Sequence, residues 1–121
     1  MIQIGKCEGC GEVNYLSYVY GDPHGAWLCN ACKDQLEGEG SIKLRYGEVI
    51  HRTIIVVVSK IREDNTGTIE AYRVSERALD EQLKIVCPTS NEDWLEILDW
   101  LEENGTLVQT ITPNYTITVE V

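Results

Sequence analysis

Cations are what this chain is short of. Ten Lys and Arg face twenty Asp and Glu, a formal net charge of −10 over 121 residues. Nucleic-acid binding draws most of its affinity from Lys and Arg neutralising phosphates, so a chain this acidic repels a phosphate backbone unless its few cations cluster. Histidine is scarcer still. His24, in the turn Asp22-Pro23-His24-Gly25, reads as an exposed loop residue, and His51, beside Arg52, as a strand residue. Neither sits in a catalytic pattern, which leaves general acid–base chemistry poorly supplied. Long apolar runs are absent too: the longest, Ile54 to Val58, falls far short of the roughly 20 residues that span a bilayer. The opening Met1-Ile2-Gln3-Ile4-Gly5-Lys6 has no apolar core of signal-peptide length, and the expected location is the cytoplasm. No internal repeat and no low-complexity tract interrupts the chain.

What is present is a cysteine pattern. Five cysteines, an odd number with no export signal, argue against a secreted disulfide scaffold. Four of them form Cys7-x2-Cys10-x18-Cys29-x2-Cys32. A Cys-x-x-Cys segment wraps its backbone around a metal and aims both sulfurs at it. Two such pairs complete the tetrahedron that zinc prefers, with sulfurs about 2.3 Å from the ion. Gly9 and Gly11 flank Cys10 and supply the backbone freedom such a knuckle needs. One structural Zn2+ on Cys7, Cys10, Cys29 and Cys32 is the expectation. Two disulfides, a redox Cys-x-x-Cys and an iron–sulfur cluster are the competing readings.

Between the pairs, Val13 to Tyr20 is rich in Val and Tyr, Gly21 to Gly25 turns, and Ala26 to Cys29 returns. Asn30 to Leu36 can then open a helix bearing the last two ligands in its first turn. Knuckle, hairpin and ligand-bearing helix describe a treble clef. Trp27-Leu28-Cys29-Asn30-Ala31-Cys32, preceded by Cys7-x2-Cys10-x18, resembles the GATA-type zinc finger over residues 5 to 36. The resemblance implies zinc ligation by Cys7, Cys10, Cys29 and Cys32. It does not carry DNA reading with it. Residues 1 to 41 hold two cations, Lys6 and Lys33, against six acids, where GATA fingers have a basic helix and tail.

The predicted fold class is α+β, a small zinc-binding treble clef over 1–37, a linker over 38–41, and a domain over 42–121 in which an antiparallel sheet packs one or two helices. Glu48 to Arg62 favours a long strand, and its continuous β-branched centre predicts cover on both faces. Glu63 to Gly67 turns and Thr68 to Val74 returns. Ser75 to Lys84 is helix-compatible. Residues 91–104 give the clearest helix. Ser90 and Asp93 form its capping signal, Asn104-Gly105 stops it, and Trp94, Ile97, Leu98 and Leu101 lie on one stripe. Two strands, Thr106 to Thr112 and Tyr115 to Val121, are expected to close the chain across Pro113-Asn114. Cys87 reads as a small buried hydrophobe.

These features predict a non-enzymatic zinc-binding interaction or regulatory protein. Zinc folds the N-terminal module, and an acidic α+β body meets a protein partner, itself basic or nucleic-acid-binding. Trp100, off the main stripe of its helix, and Tyr18 and Tyr20, alternating along the hairpin strand, are the candidate partner-binding residues. A GATA-like nucleic-acid-binding protein is the alternative, and needs Lys43, Arg45, Arg52, Lys60, Arg62, Arg73 and Arg77 gathered on one face. A further alternative is an acidic inhibitor that mimics nucleic acid, of the viral or mobile-element type. No membrane association is expected. Exposed edge strands such as Tyr115 to Val121 permit a homodimer.

Overall fold

A computed structural model describes residues 2–108 and 113–121 of the chain. Val, Tyr and Leu drive the first local structure: strand β2 (Val13–Val19) turns back as β4 (Ala26–Leu28), with Tyr18 opposite Trp27. The first residues form a strand of their own, β1 (Ile2–Lys6), antiparallel to β2 with Ile4 opposite Tyr15. Helix α1 (Asn30–Glu39) starts directly after Cys29 and ends at Gly40, which takes the left-handed conformation at φ 85°. That conformation favours glycine and closes the helix through an N–H bond to the Leu36 carbonyl. The two-residue strand β3 (Gly21–Asp22) and β5 (Ser41–Lys43) both pair with the beginning of β6 (Val49–Ile61).

The molecule divides into two compact units, Met1–Thr53 and Ile54–Val121. The first unit therefore extends well past the expected 1–37 module. Residues 38–41, read from sequence as a linker, are instead the end of α1, its cap and the first residue of β5. The physical reason is core size. Ile42, Leu44 and Ile50 are buried with Leu16, Ala26, Leu28 and Leu36 around three of the cysteines, and a module ending at residue 37 would lack them.

In the second unit β6 continues beside β7 (Gly67–Ser75), and α2 (Glu76–Val86) and α3 (Asn91–Asn104) follow. Ser75 caps α2 by accepting from the Ala78 N–H, and Ser90 and Asp93 form a reciprocal capping box on α3. The short strand β8 (Thr106–Val108) pairs antiparallel with β7, while β9 (Tyr115–Glu120) pairs parallel with β6. The expected closing hairpin is thus replaced by strands on opposite sides of the β6–β7 pair, which makes the sheet mixed rather than antiparallel throughout. Residues 109–112 of the first expected strand lie outside the described residues. The arrangement brings Ile117 and Val119 into one core with Ile54, Val56, Val58, Tyr72, Val74, Leu79, Ile97, Leu98 and Leu101. The other face of β6 is less well covered than expected, Ile55 and Val57 being half-buried. The α+β fold with an N-terminal cysteine cluster stands.

Candidate metal centre

Cys7 and Cys10 sit in the loop between β1 and β2, Cys29 at the N-cap of α1, and Cys32 in that helix's first turn. Knuckle, hairpin and helix occur in the order expected of a treble clef. Their Sγ atoms all lie within 4.8 Å of one another, and the Cys10 and Cys29 sulfurs are 3.9 Å apart. Four sulfurs about 2.3 Å from a tetrahedral ion would be separated by about 3.8 Å. The four cysteines are arranged to hold one metal ion. Cys7, Cys29 and Cys32 are buried and Cys10 is exposed.

The backbone around the cage fits it closely. A side chain at Gly9 would place its Cβ 2.8 Å from the Cys32 sulfur, so only glycine leaves the ligand its space. Gly11 has a φ of +79°, a conformation open to glycine and strained for L side chains. The N–H groups of Gly9 and Cys29 each approach the Cys7 sulfur at 3.3 Å. Burial pushes the Cys7 thiol up, but the N–H groups of Cys10, Cys29 and Gly9 outweigh it and hold the thiol at about 6. Cys32 goes the other way, driven far up by burial and by the nearby sulfurs of Cys7 and Cys29. At Cys10 the Glu12 N–H pulls down, yet burial and the Cys7 and Cys29 sulfurs raise it overall. Four thiolates this close repel one another, so full ionisation requires a cation among them, and metal binding must release protons.

Glu8 is a residue that the cysteine pattern alone did not single out. Its N–H donates to the Trp27 carbonyl at 3.0 Å and its carboxylate accepts from the Trp27 N–H at 2.5 Å. Its own carbonyl accepts from the Arg45 N–H at 2.7 Å. One residue inside the first Cys-x-x-Cys thereby ties the knuckle to β4 and to the loop before β6. Nothing local marks it, because its partners are 19 and 37 positions away.

The candidate partner-binding residues fall in different settings. Tyr18 and Tyr20 are both exposed and meet edge to face, their ring centroids 5.4 Å apart, and Tyr18 also meets Trp27 at 5.5 Å. Trp100 is half-buried and packs against the core of the second unit. Cys87, expected in a core, is exposed: it caps α2 at a φ of 49°, and its thiol donates to the Lys84 carbonyl. Of the cations required for a nucleic-acid surface, Lys60 is paired with Glu102 at 2.9 Å and Arg52 donates to the Glu37 carbonyl.

No protein-family model matches the chain, and no curated protein or solved structure matches it. Among the described residues no helix is long and apolar enough to cross a membrane.

Proposed function

We propose that this chain is a non-enzymatic interaction or regulatory protein whose N-terminal unit is folded by one structural Zn2+, a zinc finger of the GATA-like, treble-clef kind. The observation that carries the reading is the mutual approach of four sulfurs within 4.8 Å. A set of four thiolates suits zinc and leaves no position for water or substrate, the arrangement of a structural rather than a catalytic ion. The acidic body is the surface offered to a protein partner. Residues 54–121 carry thirteen acidic side chains against five basic ones, which favours a partner with positive charge and repels nucleic acid. Tyr18 and Tyr20 in one unit and Trp100 in the other are the aromatic candidates for contact.

Two measurements test the reading. Metal analysis of the purified chain is expected to give one zinc per molecule. Cobalt substitution is expected to give the absorption of a tetrahedral four-thiolate site. Iron in the native protein, sulfurs bridged to one another, or a metal-bound water would overturn it. Gel-shift titration at low salt is expected to show no nucleic-acid binding, and a shift that weakens steeply with salt would favour the GATA-like alternative instead.

A further inference from the structure

Sheet edges present unpaired N–H and C=O groups, and proteins blunt them to avoid joining to other chains. This molecule blunts most of its described edges. The outer side of β4 is plugged by Glu8, which satisfies both the N–H and the C=O of Trp27. The outer side of β9 is closed at Glu120, whose C=O accepts from the Asn91 side chain at 2.6 Å and whose N–H donates to it at 3.1 Å. Strands β3, β5 and β8 run for two or three residues each. β9 itself stays open at Thr116 and Thr118, and the strand left open along its whole length is β1. It is the outer strand of the β1-β2-β4 sheet, and no described hydrogen bond covers its outer side.

The ladder register fixes what that edge offers. Cys7 donates to the Glu12 carbonyl at 2.9 Å, directly after the opposed pair Lys6 and Val13. In an antiparallel ladder hydrogen-bonded and non-hydrogen-bonded pairs alternate, so Gln3 and Gly5 bond to β2 while Ile2, Ile4 and Lys6 direct their N–H and C=O groups outward. The same three residues carry their side chains on one face, shared with Val13 and Tyr15. That face is bare: Ile2 is 71% exposed, Ile4 69%, and Val13 and Tyr15 67% each.

We propose that β1 is a self-pairing edge, joining two copies of this chain antiparallel about a two-fold axis at Ile4. In that register Ile4 meets the second copy's Ile4, and Ile2 meets the second copy's Lys6. Every outward N–H and C=O of the strand is then used. A slip of two residues either way leaves one end of the strand unpaired. The charges also favour a second copy in this register. Lys6 is the one charged residue of β1, and it lies opposite isoleucine rather than another lysine, its aliphatic stem over the partner side chain. The unit that carries β1 has seven acids against five bases, so two chains of net charge −10 meet at their less acidic unit. A surface paired with itself about a two-fold axis is the common way that identical chains assemble. With five residues per strand the contact falls short of the ~1,000 Å² typical of stable interfaces, so the dimer is weak and reversible.

This inference goes beyond the zinc reading and does not depend on which metal is bound. Sedimentation of the full-length chain over a range of concentrations tests it, with metal content measured in parallel. Reversible dimerisation is expected, and Ile4→Lys, which sets two ammonium groups at the axis, is expected to weaken it at least ten-fold with metal content unchanged. A hydrogen-bonded antiparallel pair has its Cα atoms about 5.5 Å apart, within the span of a disulfide. Ile4→Cys in a Cys87→Ser background is therefore expected to crosslink to itself under mild oxidation. A chain monomeric at every concentration would overturn the proposal. So would a dimer indifferent to Ile4→Lys, or a monomer that takes up an extended segment of a different protein on β1.

Discussion

The two units solve the same problem with different material. Among the described residues, the core of residues 54–121 contains eleven buried residues, all aliphatic or aromatic, clamped between a sheet and two helices. The core of residues 1–53 contains ten among its described residues, and three of them are cysteines of the candidate metal cluster. Burial of apolar area is worth about 25 cal/mol per Å² wherever it occurs, but thiols aimed at one point are worth little until a cation joins them. One unit is thus held by packing and the other by packing around a site arranged to hold an ion. Units near 50 residues are where such a staple becomes necessary.

Removing the metal should therefore break the molecule unevenly, with the largest effect of any change considered. Chelation, or Cys29→Ser, is expected to collapse the amide dispersion of residues 1–53 while signals from 54–121 persist. The scale is that of metal-linked folding in small zinc modules, an apparent free energy of about 10–16 kcal/mol near neutral pH. A first unit that keeps its native spectrum without metal would erase the contrast.

The converse is Leu101→Ala. Leu101 is fully buried between α3 and the sheet of the second unit, and such truncations cost about 2–5 kcal/mol. Denaturant unfolding should register that loss with the metal stoichiometry unchanged. A lowered metal content would show that the units share their stability. A smaller change sharpens the same line from the other side. In Gly9→Ala the added methyl, 2.8 Å from the Cys32 sulfur, must displace a ligand, at the ~1–3 kcal/mol typical of overpacking. Competition with a chelator should show weaker metal retention, and residues 54–121 should unfold as before.

What could be read in advance was what neighbours in sequence determine. Cys-x-x-Cys spacing is a property of four consecutive residues, so the ligands were legible, as was α3, whose Ser90–Asp93 box and Ile97–Leu101 stripe lie within a few turns. Strand partnership is different. The parallel alliance of Val56 with Tyr115 joins residues 59 apart, and a short run of β-branched residues carries no label for its neighbour. The sequence expectation of a β8–β9 hairpin followed chain adjacency, whereas burial of Ile117 and Val119 places β9 on the other side of β6. Ile2 and Ile4 belong to an opening too short in apolar residues for a leader, and their alternation, which signals a strand, is legible only once β2 is there to receive it. The extent of the first unit was hidden for the same reason, because Ile42, Leu44 and Ile50 belong to a core whose remaining members come earlier in the chain.

The smallest expected effect is a dependence on pH confined to the first unit. Both ring nitrogens of His24 face acceptors, Nδ1 the Gly25 carbonyl at 2.8 Å and Nε2 the Glu48 carboxylate at 2.8 Å. Neutral imidazole has one N–H and can satisfy only one of them, while the imidazolium satisfies both. The Gly25 carbonyl, then the Glu48 carboxylate, accordingly raises the His24 pKa above its usual 6.5. A raised folded-state value means that the protonated form favours the fold. The contribution is complete below the unfolded-state pKa and is lost as pH rises through the folded one. Exposure to solvent keeps it small. Thiolate ligation releases protons, so the metal-held unit as a whole gains stability as pH rises, and the His24 share is read as a difference. The stability advantage of the parent chain over His24→Gln should shrink gently as pH rises from 6 to 8, with residues 54–121 unaltered. An imidazole titration of His24 by proton resonance at or below the ordinary histidine value would remove the basis for that difference, and a difference that stays constant from pH 6 to 8 would show that protonation of His24 contributes nothing to the fold.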